Sequence, residues 1–81
     1  MRTTKLLLMN QPEIGKLIRA LRLETGLTQE QFAARLGVVY PTVNRWENGH
    51  VQPSPLAIQK IEDLLQQIGD RGRDLLEIHY S

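Results

Sequence analysis

Cysteine is absent from this 81-residue chain, which excludes a disulfide framework and any thiolate metal site, the usual staples of small extracellular domains. A reducing, cytoplasmic setting is expected. Long hydrophobic runs are missing as well. The stretch Leu6-Leu7-Leu8-Met9 behind Lys5 falls far short of a signal-peptide core or of the roughly 20 residues that span a bilayer, so the expectation is a chain neither exported nor membrane-spanning. Charge of one sign is also lacking: the net charge of +1 by itself says nothing in favour of a nucleic acid. No glycine-rich phosphate loop occurs. His50 and His79 have neither a cysteine nor a second histidine at helical spacing, so no zinc site is expected. Catalytic constellations are missing in the same way, and the expectation is a non-enzyme that needs no cofactor.

What is present is an ordinary globular composition, 41% hydrophobic and 23% charged, rich enough in apolar groups to offset the entropy of ordering. A chain this short builds one core and no more. Its few charges are unevenly placed: residues 1–52 hold seven basic against four acidic side chains, and residues 53–81 three against five. A mildly basic front half and an acidic back half suit a protein that turns one face to phosphate.

Periodicity organises the chain into short helices. From Pro12, which a first helical turn tolerates, Ile14, Leu17, Ile18 and Leu21 recur at helical spacing, predicting a helix over about 12–24 that Gly26 closes. Thr28 and Gln31 have the spacing of a capping box, so a second short helix starts there, with Phe32, Ala33 and Leu36 inward. After the Gly37-Val38-Val39 turn, Tyr40 to Glu47 reads as a third, with Val43 and Trp46 inward and Asn48-Gly49 as its stop. Two short helices joined by three residues, glycine first, are the mark of a helix-turn-helix. Ser54-Pro55 caps and starts a fourth helix, lined by Ala57, Ile61, Leu64, Leu65 and Ile68 up to Gly69. Beyond Gly72, the residues Leu75, Leu76 and Ile78 could add a last turn or two. The expected organisation is an N-terminal extension over 1–11, a helix-turn-helix domain over 12–68, and a C-terminal tail over 69–81 that could hold a fifth short helix.

The string from Leu27-Thr28-Gln29 through Leu36-Gly37-Val38 to Trp46-Glu47-Asn48-Gly49 closely resembles the Xre or Cro/repressor family of phage and bacterial regulators, and the likeness covers about residues 13–68. It implies an all-α, lambda-repressor-like bundle of four to five short helices whose third helix lies in the major groove of double-stranded DNA while the second crosses the backbone. Residue by residue, Gln29 matches a position whose amide anchors a phosphate. Tyr40, Pro41, Asn44 and Arg45 match the outward positions of the recognition helix, Asn48 matches a phosphate contact after it, and Thr42 lies near enough to bond phosphate. Arg22 and Glu47 match a largely buried structural ion pair. Arg45 suits guanine O6 and N7, and Asn44 suits adenine. Tyr40 has two open roles, a thymine methyl or a phosphate.

Two departures qualify the likeness. Val39 stands where the family commonly has a Ser or Thr cap, and Pro41 can offer a base only apolar contact. The function expected is that of a sequence-specific transcriptional regulator, most simply a repressor. The alternative is an antitoxin or coactivator-type adaptor whose main partner is a protein such as a toxin. Family members usually bind as two-fold dimers, and the N-terminal Leu6 to Met9 run or the C-terminal Leu75, Leu76, Ile78 and Tyr80, apolar residues without an assigned core role, are the candidate seams.

Overall fold

The computed structural model describes residues 4–80, which form six helices and no strand: α1 (Thr4–Leu8), α2 (Glu13–Thr25), α3 (Gln29–Leu36), α4 (Tyr40–Glu47), α5 (Pro55–Gln67) and α6 (Asp70–Tyr80). The third helix of the sequence reading is therefore α4. In α2 the expected stripe of Ile14, Leu17, Ile18 and Leu21 is fully buried. Its first turn differs slightly, since Pro12 is the cap residue and the helix proper begins at Glu13.

Local capping defines the next two helices. Thr28 Oγ1 accepts from the Gln31 backbone N–H at 3.1 Å while Gln31 Oε1 accepts from the Thr28 N–H at 3.0 Å, two orphan donors satisfied reciprocally. At the other end of α3 the chain turns through Gly37 at φ 74°, and Lys60 Nζ of α5 donates to the Leu36 carbonyl at 3.0 Å. A cation there also suits the negative end of the helix dipole. Neither eight-residue helix could stand alone. Phe32 and Leu36 of α3, Val43 and Trp46 of α4, and Ile58, Ile61 and Leu65 of α5 join the α2 stripe in one core.

Two expectations at the chain ends need correcting. Leu6 and Met9, taken as spare apolar residues, are both buried in that core, and Gln52 Nε2 secures the Met9 carbonyl at 3.1 Å. Only Leu7 and Leu8 of the run remain exposed. At the other end, the last helix is longer than a turn or two and contains Gly72 rather than following it. Glycine is a poor helix former, so the sequence favoured a break. The structure shows the compensating gain: a Cβ at position 72 would fall on the Leu65 carbonyl, well inside contact distance. The missing side chain lets α6 approach α5 backbone to backbone.

Candidate nucleic-acid interface

Helix α4 packs on the bundle with its apolar face held down by Val43 and Trp46, 0% and 3% exposed. Trp46 is thus a core residue and not an outward stacking platform. The opposite face carries exposed Tyr40, Pro41 and Arg45, with Thr42 and Asn44 partly exposed beside them. Among the described residues, no side chain bonds or pairs with the Arg45 guanidinium. A planar fork of donors with no internal partner is the group best suited to a guanine edge or a phosphate.

What holds α4 in place is polar as well as apolar. Arg22 of α2 donates from Nε to Glu47 Oε2 at 2.8 Å and from Nη2 to Glu47 Oε1 at 3.1 Å, while its Nη1 reaches the Leu27 carbonyl at 3.1 Å. The two side chains are only 13% and 3% exposed, so this is an ion pair screened little by water, of the two-pronged kind that also fixes geometry. Gln29, the first residue of α3, adds a third donor to the same carboxylate, Nε2 to Oε1 at 3.0 Å. Helices α2, α3 and α4 are thereby tied at one point, which fixes the angle of α4 to α3.

From that point a chain of amides runs onto the outer face. Asn44 Nδ2 donates to Gln29 Oε1 at 3.3 Å, and Asn48 Nδ2 donates to Asn44 Oδ1 at 3.1 Å. Of the residues singled out from the sequence, the structure therefore joins Arg22, Glu47, Gln29, Asn44 and Asn48 in one network and leaves Tyr40, Pro41 and Arg45 exposed on the same helix. Gln29 and Tyr40 also line one shallow depression with Arg22, Thr28 and Glu30. At the start of α4 the cap position is Val39, at φ −86° and ψ 153° with no side-chain bond to the helix.

One supporting residue escaped the sequence reading. Gln11 Nε2 donates to the carbonyls of Trp46 and Val51 at 3.0 and 2.6 Å, and its Oε1 accepts from the Gly15 N–H at 3.0 Å. It clasps the end of α4 to the start of α2, where Gly15 lies so close to the Trp46 carbonyl that no Cβ would fit. The two carbonyls it binds lie 35 and 40 residues away in the chain, and only the bond to Gly15, four residues on, is local.

Two short helices set by a glycine turn, the second bracketed from behind and bare in front, define a helix-turn-helix DNA-binding domain. The chain belongs to the Xre/Cro-type helix-turn-helix family, whose model matches residues 18–68, and its bundle is of the lambda-repressor-like type. That family is one of DNA-binding regulatory domains and not of enzymes. Among curated proteins, the chain is 35% identical over 65 residues to multi-protein-binding factor 1 of Yarrowia lipolytica, covering 80% of this chain and 42% of that protein. It is 40% identical over 55 residues to the propionyl-CoA carboxylase regulator of Cereibacter sphaeroides, covering 68% of this chain and 11% of that one. The chain thus spans less than half the length of these relatives. No solved structure matches it significantly. No helix among the described residues is long and apolar enough to cross a membrane.

Proposed function

We propose that this protein is a sequence-specific transcriptional regulator, acting as a repressor, that reads an operator in the cytoplasm with α4 laid in the major groove. The observation that carries this reading is the bare outer face of a helix whose inner face and C-terminal end are braced: Arg45, Tyr40 and Pro41 are exposed on a support built from Trp46, Glu47 and Gln11. In it, Arg45 and Asn44 read bases, Pro41 offers apolar contact, and Gln29, Thr42 and Asn48 bond phosphate, with Tyr40 at either. Residues 12–68 are the DNA-binding unit, flanked by 1–11 and 69–81. A single module offers few base contacts, so the reading includes a homodimer on half-sites about one helical turn apart. The seam falls on α6 at Ile78, 68% exposed, whereas Leu75, Leu76 and Tyr80, expected to be free of the core, pack partly against it.

Selection of bound duplexes from a random library with the purified protein tests this. An enriched palindrome whose affinity falls steeply with salt, as counterions are released, is the expected result. Absence of enrichment would favour the second reading, an adaptor or antitoxin whose main partner is a protein such as a toxin. That reading is supported by the name of the Yarrowia relative, a multi-protein-binding factor, and by the exposed Leu7 and Leu8 of α1.

A further inference from the structure

Asn44 is not an independent reader. We propose that the Glu47 carboxylate, acting through Gln29, sets the direction of the Asn44 amide on the outer face of α4, so that Glu47 and Gln29 are positioning residues for the base choice made by Asn44. This rests on the DNA-reading function above.

The argument is one of donor and acceptor inventory. A primary amide has almost the same shape when flipped by 180°, so a free asparagine can offer its oxygen and nitrogen in either order. The order becomes fixed only if a neighbour is acceptor-only or donor-only. An ionised carboxylate is acceptor-only, and guanidinium is donor-only. Arg22 holds the Glu47 carboxylate with two bonds at 2.8 and 3.1 Å, which leaves that carboxylate to accept from Gln29 Nε2 at 3.0 Å. Gln29 must therefore turn Oε1 away, and an amide oxygen can only accept. Asn44 meets it with Nδ2 at 3.3 Å, which turns Asn44 Oδ1 toward Asn48, where Nδ2 donates at 3.1 Å. Direction passes from a buried ion pair to the helix surface in three steps.

Each amide in the chain spends part of its capacity and keeps the rest. Asn44 retains one N–H and one lone pair, one donor and one acceptor in a set order. That is the complement of the adenine edge, whose N7 accepts and whose N6 donates. A base that presents the opposite order meets an amide that cannot flip without breaking bonds at both ends. Releasing Asn44 from Gln29 gives it back that freedom, and the preference relaxes.

The test is to select operators with the wild type, Asn44→Ala and Gln29→Met, after thermal melts establish that each is folded; Gln29→Ala replaces the methionine variant if that one is not. Asn44→Ala identifies the base pair that Asn44 reads, where the wild type should prefer one base by roughly 5- to 150-fold. In Gln29→Met the preference at that same pair should fall by roughly 2- to 12-fold, the cost of ordering one freed polar side chain, while the preference at the pair read by Arg45 is kept. A uniform weakening of all sequences that leaves both preferences intact would mean that Gln29 serves DNA only through its phosphate contact or its packing, and that result overturns the inference while the DNA-reading function stands. So does an Asn44→Ala variant that relaxes no position. A wild type that enriches no operator overturns that function, and the inference with it.

Discussion

Glu47→Ala should cost this protein far more stability than Arg45→Ala, although the two residues lie two apart on one short helix. The Glu47 side chain is 3% exposed and takes three hydrogen bonds, two from Arg22 and one from Gln29. Its removal leaves a guanidinium that is only 13% exposed with its Leu27 carbonyl bond and no counter-ion. Breaking such a buried pair from one side typically costs about 3–5 kcal/mol. An 81-residue chain has roughly 4–12 kcal/mol of total stability at the usual ~0.05–0.15 per residue, so the loss is a large share of the whole. At ~4–8 °C per kcal/mol for a domain of this size, the melting temperature of Glu47→Ala should fall by roughly 12–40 °C. Arg45 is exposed and unpaired among the described residues, and a substitution of that kind usually stays within about 0.5 kcal/mol. Circular dichroism melts of both variants at one protein concentration decide the matter. Equal midpoints would refute the claim that the ion pair is the brace of α4.

Two further stability measurements probe the ends of helices and the crossing of α6. Val39 holds the extended cap conformation of α4 without an acceptor, so Val39→Ser should raise stability by about 0.5–2 kcal/mol; an unchanged or lowered melting temperature would contradict the cap placement. Gly72→Ala gains about 1 kcal/mol of helix propensity, yet drives a methyl into the Leu65 backbone carbonyl, which cannot swing aside as a side chain would. Overpacking of this sort costs about 1–3 kcal/mol, so a net loss is expected in urea unfolding, and a stabilised variant would show that α6 has room to spare.

How much of this was legible depended on the range of the interaction. The limits of α2 to α5 and the capping box at Thr28 and Gln31 are written within four residues of sequence, and α2 shifts by only one residue, Glu13–Thr25 against the expected 12–24, whereas α1 (Thr4–Leu8) was not expected as a helix. The turn between α3 and α4 was readable for the same reason. The fate of Gly72 was not, because its low propensity is a local signal and the Leu65 backbone it admits lies on another helix. Leu6 and Met9 had no periodic partners in so short a run, and only the packed core shows where they go. Gln11 and Lys60 act on carbonyls more than twenty residues away. At the interface, the resemblance suggested roles for Gln29, Asn44 and Asn48 one by one. The Asn44–Asn48 link has local i,i+4 spacing, but that Gln29 joins it to make a directed chain follows only from how α3 meets α4.

The most direct test of the central claim, that α4 reads base sequence through its outward face, is the binding of Arg45→Ala to the selected operator and to its single-pair variants at several salt concentrations. Loss of about 1–3 kcal/mol with relaxed preference at one base pair, and with a stable fold, is the predicted result. A uniform loss at every sequence, accompanied by a shallower dependence on salt, would mean that Arg45 touches only phosphate and that α4 does not read the operator in the manner described.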